Sequence, residues 1–274
     1  MSVQNLTAIC VADLSLGNSV FENMDSIRCV TQGEALSMLD QVTLCIKTIH
    51  RPQCCAALVR SIHEHCGTNR PSIHVLDDGK PELRFATNCP AEAGMVDELI
   101  ETEYDIGLSA GRNRLLDFGE SPIVVFTDDD HLVTQRTRLP ELIEKLNGHC
   151  DIDLLAALSN NDERPRMLRS NGSRLRIHRG YLRKQRSIRW CHYVGNCFVA
   201  YRDILQAIRW DEALKVEEHW DFFWRCKLAG VNVAVHVQHS FKHEHVDLPG
   251  YQRHRPQFLK RGLEKHGLEK VIWR

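Results

Sequence analysis

Ile123-Val124-Val125-Phe126-Thr127-Asp128-Asp129-Asp130-His131 is the stretch around which the chain is organised. Its first half is a run of β-branched and aromatic residues, the composition of a buried strand. Ser121-Pro122 leads into it, and three consecutive carboxylates end it. Unpaired acids are costly to bury, so the triplet belongs at the open end of the strand, where water, a basic partner or a hard cation can meet it. A carboxylate there is well placed to hold a divalent ion that bridges two phosphates. A solvated acidic turn is the plainer alternative for the triplet alone.

The flanking segments repeat the pattern. Val42 to Lys47 reads as a strand running into Thr48-Ile49-His50-Arg51-Pro52, with Pro52 suited to a helix's first turn. That helix carries apolar residues at Ala56, Leu58, Val59 and Ile62 and stops near Gly67. A second strand, Ile73–Leu76, ends in Asp77-Asp78-Gly79. Strand, helix, strand with polar residues at both strand ends begins a parallel sheet, and Asp77 and Asp78 either cap a turn or face its crevice. Residues 83–87 suggest a short strand and residues 96–100 a helical patch. Gly107 to Leu116 opens a helix whose small residues permit close packing on the sheet, with Ser109 as its expected cap and Arg112 available to an anion.

Downstream, the sequence predicts a helix over 139–147, strands over 152–158 and 195–201, a helical turn at 202–205, a helix over 217–228 and a last strand over 231–237. Residues 164–189 hold ten arginines and lysines around an Asn171-Gly172 hairpin turn. In a chain of formal net charge -1, such a concentration points to a local anionic partner: a phospholipid surface contacted peripherally, a diphosphate carrier or an acidic glycan. No nucleic-acid-binding motif is present. Glu218 and Asp221 share a helix face; acids at a helix start are favoured by its dipole, and one beside the crevice is also placed to take a proton from a hydroxyl. His243 and His245 alternate as on one strand face and suit a transition metal.

The chain has 274 residues, 43% hydrophobic and 26% charged, ordinary for a globular protein. Its eleven cysteines show no framework, and the opening residues lack a basic start followed by an apolar run. Reduced thiols and a cytoplasmic location without a membrane span are therefore expected.

Over residues 42–245 the order of motifs resembles the family-2 glycosyltransferases of GT-A fold. Lys47 to Pro52 and Asp77-Asp78-Gly79 match the nucleotide-binding turns, Gly107 to Asn113 the glycine/arginine-asparagine helix start, and Asp128-Asp129-Asp130 the DxD signature. Gly111-Arg112-Asn113 and His219-Trp220-Asp221-Phe222-Phe223 are similar to the β-1,4-N-acetylgalactosaminyltransferases of ganglioside-synthase type. The resemblance implies an α/β fold with a mixed, mostly parallel sheet flanked by helices. It implies an N-terminal extension (1–40), a transferase domain (41–250, divided near 131 into nucleotide and acceptor halves) and a basic tail (251–274). It also implies a Mn2+- or Mg2+-dependent enzyme that moves a sugar, N-acetylgalactosamine or another hexose, from a UDP-type donor to a hydroxyl of a glycan, glycolipid or other acceptor, with inversion. Thr48 and Asp78 would contact the nucleoside, Arg51 and Arg112 the nucleotide, and Asp128 and Asp129 the donor. Asp130 would hold the metal with His243, His245 standing beside it, and Asp221 or Glu218 would be the base. A nucleotidyltransferase using the same acids for magnesium and a non-catalytic sugar-nucleotide-binding module are the competing expectations.

Overall fold

The computed structural model describes residues 38–160, 164–246 and 254–274. Residues 36–274 form one compact unit. Residues 1–37, most of the expected N-terminal extension, lie outside the described residues, which begin with a 3-10 turn at Met38–Gln41.

The strands are β1 (Val42–Thr48), β2 (Ser72–Asp77), β3 (Glu98–Glu101), β4 (Ile123–Asp128), β5 (His131–Leu132), β6 (Leu154–Ser159), β7 (Arg166–Asn171), β8 (Arg174–Arg179), β9 (Arg183–Gln185), β10 (Ile188–Cys191), β11 (Cys197–Tyr201), β12 (Val233–His243) and β13 (Lys270–Trp273). The longer helices are α1 (Pro52–Cys66), α2 (Leu108–Phe118), α3 (Leu139–Asn147), α4 (Arg202–Ile208), α5 (Glu218–Leu228) and α6 (Arg255–Lys265). The main sheet runs β3-β2-β1-β4-β11-β6-β12-β10-β9, with β5 paired to β12. β3, β2, β1 and β4 are mutually parallel, β11 is antiparallel to both β4 and β6, and β12 is parallel to β6. The architecture is therefore the expected mixed α/β one.

β1 is buried along its whole length and β4 until Asp128, as for strands covered on both faces by crossover helices. Leu58, Val59 and Ile62 of α1 and Leu142, Ile143 and Leu146 of α3 share one core with β1, β4 and β6. Every expected major element is present, β12 extending six residues further than its apolar run to end at His243.

Three short-range expectations are corrected. Residues 81–93 form helical turns, Pro81–Leu83, Phe85–Asn88 and Pro90–Ala93, and the strand falls at β3. Proline at the start of two of these turns presets the helical φ, whereas β3 exists because the edge of β2 pairs with it. Helix α2 is entered through Gly107 at φ 95°, and Ser109 donates to the Leu214 carbonyl at 2.6 Å instead of capping. Beyond α6 the basic tail also supplies β13, parallel to β8 in a separate three-stranded sheet with β7. The Asn171-Gly172 turn does join β7 to β8, with Gly172 at φ 58°. No helix among the described residues is long and apolar enough to cross a membrane.

Candidate active site

The carboxyl ends of β1, β2 and β4 converge, and their acids divide into internal and outward groups. Asp77 and Asp78 are internal. Asp77 accepts the backbone N–H groups of Gly79 and Phe85, both at 2.7 Å, and burial raises its pKa. Asp78 is fully buried against Lys47, Nζ to Oδ1 2.6 Å, and also accepts the Gly107 N–H at 3.2 Å. Burial lowers the Lys47 pKa, and Asp78 offsets part of that shift. Thr48 donates its hydroxyl to Asp129 at 2.7 Å. Thus both residues expected to meet the nucleoside, Thr48 and Asp78, are buried and spend polar atoms on other strand ends.

Of the acids that end β4, Asp128 and Asp130 keep some exposure and Asp129 has none. Asp129 is fully buried, and burial pushes its pKa up to about 6 despite a bidentate contact from Arg51. The same guanidinium reaches Asp130 Oδ2 at 2.7 Å. Burial alone would raise Asp130, but the His243 imidazole at 3.5 Å and Arg51 outweigh it and hold the pKa at about 2. β5 and β12 pair residue by residue, His243 opposite His131, which carries His243 back to the acid triplet. Ligand atoms of Asp130, His243 and His245 lie within 4.8 Å of one another, as do those of Asp128, Asp130 and His131. The His131 Nε2 is buried with no hydrogen-bond partner, while its Nδ1 lies 2.9 Å from the Thr127 hydroxyl. A carboxylate grouped with imidazoles, one presenting an unsatisfied buried nitrogen, fits a divalent cation.

Helix α2 clamps the chain that leads to α5. Leu108 N–H bonds the Lys215 carbonyl at 2.9 Å, Asn113 exchanges hydrogen bonds with the Trp210 backbone, and Arg112 donates to Glu218 at 2.5 Å and to Asp128 at 2.9 Å. Arg112 is buried between these carboxylates; burial would lower its pKa, but Glu218 and then Asp128 raise it. Asp128, bonded also by Asn196 at 3.2 Å, is kept in its charged form. Gly111 permits the clamp: a Cβ there would lie 2.7 Å from Lys47 Cγ.

A cavity of about 390 Å³ opens beside Asp128. The 193–196 loop and Glu217–Trp220 wall it, and Arg164, Arg166, Arg255 and Trp273 contribute to its rim. The structure therefore brings Asp128 and Glu218 to one cavity and Asp130, His243 and His245 to one group, with Asp128 also beside Asp130. It does not bring Asp221 there. That carboxylate is buried against Arg225 (2.9 Å), Lys265 (2.9 Å) and His266 (2.6 Å) of its own helix and the C-terminal segment. Burial would raise its pKa, but these partners, His266 foremost, hold it far below the usual range. Asn196, His131 and His219 are the site residues that sequence patterns left unassigned. His219 stands out in the sequence only as the first residue of the His219–Phe223 run that carries the resemblance.

An open sheet whose parallel half ends in buried acids, followed by an antiparallel half that returns a histidine to them, is a GT-A fold. The chain belongs to Glycosyl transferase family 2, whose model matches residues 43–209, more than half its length. Two solved structures share the fold. TarS of S. aureus superimposes with a TM-score of 0.54 at 14% identity, over 82% of this chain and 43% of that one. A mycobacterial protein gives 0.55 at 14% identity, over 86% of this chain and 81% of that one. The chain thus spans less than half the length of the full TarS chain.

Proposed function

We propose that the protein transfers a sugar from a nucleotide-diphosphate donor to a hydroxyl acceptor, with Asp130, His243 and His245 holding a divalent cation. The supporting observation is the grouping of those three side chains at the end of β4, where Asp128 borders both this group and the 390 Å³ cavity. When bound, the cation neutralises charge developing on the departing diphosphate. Carboxylate with imidazole favours manganese over magnesium, which prefers oxygen ligands and retained waters.

The protein's own residues set the geometry. Asp128, fixed by Arg112 and Asn196, is directed at the donor's ribose. Arg51 neutralises Asp129 and Asp130, and an ion bound at Asp130 would release its Nη1 toward the diphosphate. Thr48 and Asp78 act on the nucleoside indirectly, by fixing the ends of β1 and β2. The acceptor enters over Trp273 and Tyr193, which give it apolar faces, between Arg164, Arg166 and Arg255. That lining suits a glycan or glycolipid bearing acidic groups.

The test is a panel of UDP- and GDP-sugars, UDP-N-acetylgalactosamine first, in thermal-shift assays with manganese, followed by product analysis. The matching donor raises Tm by mass action, and transfer releases the nucleoside diphosphate intact. Release of pyrophosphate or of a sugar phosphate would contradict glycosyl transfer and favour phosphoryl chemistry.

A further inference from the structure

We propose that His219 is the catalytic base that takes the proton from the attacking hydroxyl, in place of a carboxylate. The assignment rests on the glycosyl-transfer reading above and specifies the proton acceptor of that same cavity.

Both acidic candidates are committed elsewhere. Glu218 lies in a buried ion pair with Arg112 at 2.5 Å, and Arg112 is shared with Asp128. Asp221 is locked among Arg225, Lys265 and His266 and is not part of the cavity wall. The third carboxylate on that wall, Glu217, is paired with Arg255 at 2.9 Å. His219, one residue beyond Glu218, also lines the cavity.

Its protonation pattern follows from one contact. The His219 Nε2 lies 2.7 Å from the Val194 carbonyl oxygen. A carbonyl only accepts, so Nε2 carries the hydrogen and, in the neutral ring, Nδ1 carries the lone pair. The ring is held edge-on between Tyr193 and Phe223, with centroids 4.8 and 5.0 Å away, so this orientation is fixed. Nδ1 is buried and has no hydrogen-bond donor among the described residues. A buried acceptor left unsatisfied costs about 1–3 kcal/mol; an acceptor hydroxyl that displaces part of the adjoining cavity wall to reach Nδ1 would satisfy it. Fixed tautomer, fixed ring and an unmet acceptor are what a neutral imidazole base requires.

Burial keeps it neutral before reaction, and the nearby carboxylates tolerate its charge afterwards. Burial lowers the His219 pKa and Arg112 lowers it further; Glu218, the Val194 carbonyl and Asp128 act in the opposite direction. Tyr193 and Phe223 add no charge, and Arg164, Arg166 and the Glu217–Arg255 pair stand on the same cavity wall. In the step, the acceptor O–H proton passes to Nδ1 while the acceptor oxygen bonds the anomeric carbon. The bond from that carbon to the diphosphate oxygen breaks, its electron pair leaving with the nucleoside diphosphate. The imidazolium, still donating from Nε2 to Val194, then returns its proton to solvent.

The experiment compares wild type, His219→Gln and His219→Ala, with turnover read as nucleoside diphosphate released to water or acceptor and donor binding read by calorimetry with manganese. Gln keeps a donor for the Val194 carbonyl but has no basic atom, so it separates positioning from proton transfer. Expected are unchanged donor affinity, turnover lower by about 10²–10⁴-fold in both variants, and partial recovery of His219→Ala with added imidazole. At saturating Mn2+ the wild-type kcat/KM should also show an acid limb below the ordinary histidine range that is absent from His219→Gln. Turnover of His219→Gln within about threefold of wild type, or the same acid limb in both proteins, overturns the assignment. If wild type binds no nucleotide sugar with manganese, the glycosyl-transfer reading itself fails and the base falls with it; if the donor binds and only the variants' behaviour departs, the base alone is refuted.

Discussion

Arg51 Nη1 donates to Asp130 Oδ2 at 2.7 Å, so a guanidinium already occupies the carboxylate proposed to receive the metal. Ion and arginine then compete for Asp130. At an effective dielectric of about 20, a unit charge some 5 Å from the ion opposes it by a few kcal/mol before screening. Arg51→Met should therefore bind Mn2+ alone about tenfold more tightly in calorimetry, while UDP binding at saturating Mn2+ weakens. Unchanged Mn2+ affinity would remove Arg51 from the site's electrostatics.

The Lys47–Asp78 pair under α2 gives a stability prediction. Both side chains are buried and 2.6 Å apart, so removing one leaves the other charged and unpartnered. Lys47→Met should cost about 3–5 kcal/mol in urea unfolding, the usual penalty for breaking a buried pair. Gly111→Ala, which drives a methyl to 2.7 Å from Lys47 Cγ, should cost about 1–3 kcal/mol by overpacking. A loss below about 0.5 kcal/mol in either variant would contradict the packing described.

Asp221 is assigned here to docking α6, and its pH dependence tests that. Its folded pKa is depressed, so its stabilising contribution is fully present above the unfolded value, about 3.9, and is lost as pH falls through that value toward the folded one. Asp221→Asn should be less stable than wild type by about 2–4 kcal/mol at neutral pH, the gap closing on acidification. It should retain turnover to within a few-fold. A gap independent of pH, or a loss of turnover as deep as that of His219→Gln, would contradict this role.

The sequence displayed the scaffold well and the site less evenly. β1, β4 and β11 are legible because strands buried on both faces are written as continuous apolar runs. The grouping of Asp130, His243 and His245 was foreshadowed because acids and imidazoles stood at the ends of apolar strand runs. Arg112 reads as available to an anion and Asn113 only as part of the helix-start motif, yet they clamp the Trp210–Glu218 segment across about a hundred positions. No local pattern encodes a partner so distant. His219 was hidden for the same reason: what fixes its tautomer is a carbonyl at Val194, in a loop on another element. The short turns of residues 81–93 and the β3 edge are too brief for periodicity to separate helix from strand.

The central claim is that Asp130, with His243 and His245, seats a divalent ion that grips a nucleotide donor's diphosphate. Calorimetric titration of UDP into wild type and Asp130→Asn, each with and without Mn2+, tests it most directly. The account predicts tight UDP binding only by wild type with Mn2+, and loss of that metal-dependent increment in a variant that stays folded by circular dichroism. UDP binding that is equal in all four titrations would contradict it.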